Sequence, residues 1–114
     1  SFRYLKWSTS TNYIFMIIRI VKLQFKEEEL ASFKDYFDSI SPQIRSFEGC
    51  QKLVLLQQAN QPNVIFTYSY WENEEALENY RVSELFQTFW AVAKAKFSGK
   101  PEAWSLNKIT EVLA

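Results

Sequence analysis

The chain predicts a single α+β domain in which one antiparallel sheet carries helices on one of its faces. Stretches with residue-to-residue alternation and stretches with apolar residues three and four apart follow one another in the order strand, helix, strand, strand, helices, strand. The two middle strands are separated only by the turn-rich Ala59-Asn60-Gln61-Pro62-Asn63, so they form a hairpin. A length of 114 residues suits one core, not two.

Residues 1–15 carry no sustained period, and Met16, the only Met, stands where a clean strand begins. The segment is either an upstream extension, with Met16 the natural start, or an N-terminal arm; the domain proper is expected over 16–106. From Ile14 to Phe25 the residues are mostly β-branched or aromatic, and Arg19, Lys22 and Gln24 interrupt them as in a part-buried strand. Leu30, Phe33, Phe37, Ile40, Ile44 and Phe47 then recur on one helical stripe. Glu27, Glu28 and Glu29 suit the positive end of that helix dipole. Pro42 lies inside the stripe, so the spacing predicts one long helix bent there, with Ser41 as a local cap and Gly49 past its end.

Cys50 to Gln58 and Val64 to Trp71 are the hairpin strands. Asn73 can cap a short helix through Tyr80. Ser83 can cap another whose apolar stripe is Leu85, Phe86, Phe89, Trp90, Ala93 and Phe97, closed by Lys94, Lys96, Gly99 and Pro101. Glu102 to Leu106 is a final strand, and 107–114 a tail. This order describes a two-layer ferredoxin-like fold. Such a sheet leaves its second face to water, a partner chain or a nucleic acid.

Composition narrows the chemistry. Thirteen basic and thirteen acidic residues cancel, which disfavours nucleic acid. No His is present, so Cys/His zinc sites, His-based triads and His-ligated haem all lack parts. Gly49 and Gly99 are the only glycines, too far apart to build a dinucleotide or phosphate loop. The lone Cys50 cannot form an internal disulfide and suits a reducing cytosol. The apolar run Tyr13 to Ile18 is stopped by Arg19, far short of the roughly 20 residues of a membrane span, and no small-residue cleavage site follows it. A soluble, cytoplasmic protein is expected. Aromatic residues are abundant at 18 %, enough for a large core together with a pocket or an interface.

Alternation along the third strand sets Thr67, Ser69 and Trp71 on one face and Phe66, Tyr68 and Tyr70 on the other. Two hydroxyls beside a Trp suit a small-molecule cleft, so the first set is assigned to the helix side, with Trp71 either pocket or core. Phe66, Tyr68 and Tyr70 then face a second subunit. RNA-recognition domains stack bases on such a strand, but the basic residue and Gly of their motif are missing from Val64-Ile65-Phe66-Thr67-Tyr68. Arg81, between the two short helices, is either a fixed cation for a phenolate or carboxylate or a partner for Glu78 or Glu84. Phe86, Phe89 and Trp90 have core spacing first and pocket-wall spacing second, and Lys94 is a surface residue.

Met16-Ile17-Ile18-Arg19-Ile20, Phe47-Glu48-Gly49-Cys50, Ser69-Tyr70-Trp71, Tyr80-Arg81-Val82-Ser83-Glu84-Leu85-Phe86 and Pro101-Glu102-Ala103-Trp104-Ser105 occur in that order. Through them Met16 to Leu106 resembles the antibiotic biosynthesis monooxygenase family. The resemblance implies ferredoxin-like chains paired into a homodimeric α+β barrel. It also implies a cofactor-independent oxygenase, without metal or flavin, in which the anion of a small aromatic or polyketide-like molecule reacts with dioxygen. It points to Trp71 as a pocket residue; the residues themselves add Arg81 as the second catalytic candidate and Thr67, Ser69, Phe86 and Trp90 as substrate contacts. The haem-degrading branch needs a His where this chain has Trp90. A dimeric barrel that binds a small ligand without turning it over is the alternative, because no spacing singles out a proton acceptor among Glu72, Tyr68, Tyr70 and water.

Overall fold

A computed structural model describes Arg3–Tyr4 and residues 16–114. Its elements are β1 (Arg3–Tyr4), β2 (Ile17–Gln24), a 3-10 turn (Glu27–Glu29), α1 (Leu30–Arg45), β3 (Cys50–Gln58), β4 (Gln61–Trp71), α2 (Glu74–Arg81), α3 (Glu84–Lys94), β5 (Glu102–Leu106) and β6 (Val112–Leu113). The main sheet runs β3-β4-β2-β5, with every neighbouring pair antiparallel. Helix α1 carries the chain from β2 to β3 past the place that β4 then fills, and the result is the expected ferredoxin-like α+β fold. A second, two-stranded sheet pairs Arg3 with Leu113 and Tyr4 with Val112. The expected tail thus contains a strand, while the reading of 1–15 as an extension falls, apart from Arg3–Tyr4, outside the described residues.

The register sorts the side chains. Ile17, Arg19, Val21 and Leu23 of β2 stand opposite Trp71, Ser69, Thr67 and Ile65 of β4, and together they face the helices. Against them pack Phe33, Phe37, Ile40 and Ile44 of α1, Leu77 and Tyr80 of α2, and Phe89 and Ala93 of α3, all buried. Asn73 and Ser83 cap their helices as expected, accepting from the backbone N–H of Ala76 and Phe86.

Three boundaries differ from the expectation. Helix α1 runs through Pro42 as the one long helix expected, but it is not capped anew at Ser41 and it ends at Arg45, so Phe47 of the predicted stripe lies beyond it. Proline removes the donor that Asp38 O would receive, and the Ser41 hydroxyl approaches that carbonyl instead at 3.5 Å. Strand β4 begins at Gln61, not Val64: Gln61 pairs with Gln58 of β3, and Pro62 lies beyond the β2 ladder, which ends at Gln24 and Val64. Helix α3 stops at Lys94, so Phe97 is not helical. The chain there clips onto the end of β2 through Lys26 N–H to Lys96 O at 3.0 Å and Ser98 N–H to Gln24 O at 2.8 Å. Phe97 then packs edge-on to Phe25, centroids 5.4 Å apart, and Phe25 stacks on Phe33 at 4.2 Å. No helix among the described residues is long and apolar enough to cross a membrane.

Gly49 has φ +87°, and a Cβ there would lie 2.4 Å from Ala76 Cβ. Gly49→Ala is therefore expected to cost about 1–3 kcal/mol or more in urea unfolding, from left-handed strain plus the clash. An unchanged midpoint would show that the turn relaxes freely.

Burial, then the nearby Cys50 and Tyr36, pushes the Tyr80 hydroxyl far above its ordinary pKa, and burial likewise raises the Cys50 thiol. Both groups prefer to be neutral in the fold. Their contribution is complete below the unfolded values of about 8.5 for Cys and about 10 for Tyr, and is lost as pH rises towards the folded ones. Stability is thus expected to fall in alkali, and Tyr80→Phe to flatten the part of the fall above about pH 10. A pH profile identical to that of the parent protein would contradict this.

Candidate active site

Between the helix-facing side of the sheet and helices α2 and α3 lies a cavity of about 430 Å³, a size suited to a small molecule. Its inner wall is apolar: Val21, Leu23, Leu53, Phe37 and Phe89. Exposed residues at the end of α2 and around the start of β5, among them Arg81, Val82, Pro101 and Ala103, form the rim. All six residues singled out from sequence line it: Thr67, Ser69, Trp71, Arg81, Phe86 and Trp90.

Trp71 is fully buried. Its Nε1–H donates to Ser69 Oγ at 2.9 Å, so the indole is core and wall together, and its donor is already used. The ring stacks on Tyr80 at 4.8 Å, Tyr80 meets Phe86 edge-on at 5.2 Å, and Phe86 stacks on Trp90 at 5.7 Å. Trp90 in turn touches Phe97 at 5.5 Å, so one side of the cavity is a continuous run of rings that passes into the core. Phe89, on the same helix, is buried, and Lys94 is exposed. Arg81 makes the ion pair with Glu78 that the sequence allowed, at 3.2 Å.

Sequence reasoning missed Arg19. It is half-buried, lines the cavity, and donates to Ser105 Oγ at 2.9 Å across the β2–β5 pairing. The guanidinium is held below its ordinary pKa, first by burial and then by repulsion from Arg81, with attraction to Glu78 opposing. The signal was present: Arg19 alternates in phase with Ile17, Val21 and Leu23 and so had to face the helices.

None of the side chains left open as proton acceptors lines the cavity. Tyr68 and Tyr70 lie on the other face, their hydroxyls 3.0 Å apart, and Glu72 is not part of the wall. The carboxylates that line the cavity are Glu78 and Glu102. Among the described residues no three His, Cys, Asp or Glu side chains come together as a metal site would need.

The second face of the sheet is apolar and partly uncovered. Leu56, Trp104 and Leu106 are 46 %, 42 % and 44 % exposed, and Phe66, Tyr68 and Tyr70 are half-buried among them. Lys52 and Lys108 place their ammonium groups 5.2 and 5.3 Å from the Tyr70 ring centroid.

Known proteins agree with this architecture. A conserved protein from Methanosarcina mazei Go1 superposes with a TM-score of 0.80 at 19 % identity, over 86 % of this chain and 97 % of that one. Proteins named for the antibiotic biosynthesis monooxygenases follow from Caulobacter crescentus (0.78, 17 %, 85 % and 92 %) and Nitrosomonas europaea (0.77, 15 %, 82 % and 90 %). At such identities the likeness establishes the fold. No curated protein matches the chain. The family model for antibiotic biosynthesis monooxygenases matches residues 16–92, most of the chain, and on this ground the protein belongs to the antibiotic biosynthesis monooxygenase family.

Proposed function

We propose that the chain is a homodimeric, cofactor-independent monooxygenase acting on a small aromatic or polyketide-like molecule held in the helix-side cavity. The observation that carries this reading is the cavity itself, with its apolar and aromatic wall and polar groups confined to Thr67, Ser69, Tyr80 and the charged residues at its edge. A flat substrate would lie against the Trp71, Phe86 and Trp90 side.

The reaction needs a substrate carbon acidified by its ring system. Loss of a proton leaves an electron-rich anion, which adds to dioxygen and forms a carbon–oxygen bond. The peroxide then breaks its O–O bond, so one oxygen stays on the product and the other leaves as water, all electrons coming from the substrate. The protein's share is a dry site and a cation near the developing negative charge. Arg81 supplies the cation, and its partner Glu78 is the carboxylate on the helix side of the rim that can take the proton. Tyr80 stays a neutral hydroxyl, because burial raises its pKa.

Pairing through the second sheet face would cover Phe66, Tyr68 and Tyr70 together with Leu56, Trp104 and Leu106. Light scattering at low micromolar concentration is expected to give twice the 13.5 kDa chain mass; a monomer would remove the dimer from the proposal. Oxygen uptake with a panel of phenols and anthrones is expected from the parent protein. It should fall by about 100-fold in Arg81→Ala and by about tenfold in Trp71→Phe, with folding checked by circular dichroism. Uptake unchanged in both variants would overturn the site. No uptake from any compound, with binding retained, would favour the ligand-binding alternative, which the placement of Tyr68, Tyr70 and Glu72 away from the cavity already supports.

A further inference from the structure

We infer that the ligand of this cavity is an aromatic carboxylate, and that Arg19 is the residue that selects it; this rests on the cavity's being the ligand site. The inference comes from the charges that line one small space. Four charged side chains do so: Arg19, Arg81, Glu78 and Glu102. Three of them are already matched. Glu78 pairs with Arg81 at 3.2 Å, and Glu102 pairs with Lys22 at 3.9 Å.

Arg19 is the remainder. Among the described residues it makes one side-chain hydrogen bond, to the neutral Ser105 hydroxyl, and no ion pair. Most of its N–H donors therefore have no protein acceptor. It is also half-buried, on the core-facing side of a strand, beside a second guanidinium whose repulsion outweighs the attraction of the more weakly felt Glu78. Withdrawing a cation from water next to a like charge costs free energy unless an anion answers it. Held on one side by its hydrogen bond to Ser105, the planar fork matches a carboxylate, which can accept two parallel hydrogen bonds from it. Apolar Val21, Leu23 and Leu53, on the neighbouring helix-facing positions, would then hold the body of the ligand.

A matched pair of probes tests this: 2-naphthoate and its neutral counterpart 2-naphthamide, titrated by calorimetry into the full chain and into Arg19→Gln and Arg19→Lys. In the parent protein the carboxylate is expected to bind about tenfold more tightly than the amide. Arg19→Gln should erase that preference while leaving the amide's affinity within about twofold, and Arg19→Lys should keep part of it, since a point charge remains without the fork. Equal affinities in the parent protein, or a preference that survives Arg19→Gln, would overturn the assignment to Arg19 while leaving the cavity as the binding site. Failure of both probes to bind the parent protein would overturn the cavity reading and this inference with it. The comparison within the parent protein needs no variant to fold.

Discussion

The burial of Trp71 is the constraint on which the rest of the molecule depends. Its backbone ends β4, pairs with Ile17 of β2 and lies across from Cys50 of β3, so three strands are aligned at one residue. Its ring is clamped between secondary structures: Tyr80 of α2 stacks on it, and Phe47, in the turn before β3, meets it edge-on at 6.3 Å. A buried indole also needs an acceptor, and Ser69, two residues back on the same face, supplies it. Removal of either partner would leave a polar atom unpaired in the core. Just beyond, Glu72 N–H donates to Gly49 O at 2.8 Å, which ties the start of α2 to the turn after α1.

Much of this arrangement was legible in the sequence because it depends on period alone. The alternation Thr67, Ser69, Trp71 against Phe66, Tyr68, Tyr70 is a property of any extended chain, and it placed both sets on the correct faces of the sheet. The spacing of Phe33, Phe37, Ile40 and Ile44 did the same for α1. What period could not show was where local rules yield to tertiary ones. The helix runs through Pro42 without a new cap, and the Ser41 hydroxyl comes within 3.5 Å of the Asp38 carbonyl that the proline leaves without its usual donor. Phe97 continues the stripe of α3 on paper, yet the backbone leaves the helix to pair with the end of β2, and from that new position Phe97 packs, partly buried, against the core.

Arg19 shows a different limit. A charged residue in an apolar run reads most simply as the solvent-facing member of an alternating strand. The phase of its neighbours says the opposite, and the cation does face the helices, beside Ser105 and the cavity. The neighbourhood of Arg19 was illegible for a related reason: Glu78 and Arg81 share one turn of α2, but only folding brings that turn to the cavity that Arg19 lines from β2.

The run of rings from Trp71 through Tyr80, Phe86 and Trp90 to Phe97, Phe25 and Phe33 has a further consequence. Its first four members, Trp71, Tyr80, Phe86 and Trp90, wall the cavity, and the run as a whole holds the two layers together. Whatever fills the cavity in the folded chain has no counterpart in the unfolded one, so occupancy and melting temperature are thermodynamically linked. Evolution of a new ligand preference on this wall is drawn from the reserve that keeps the sheet and helices joined, and the tolerance of the fold sets how far the pocket can drift.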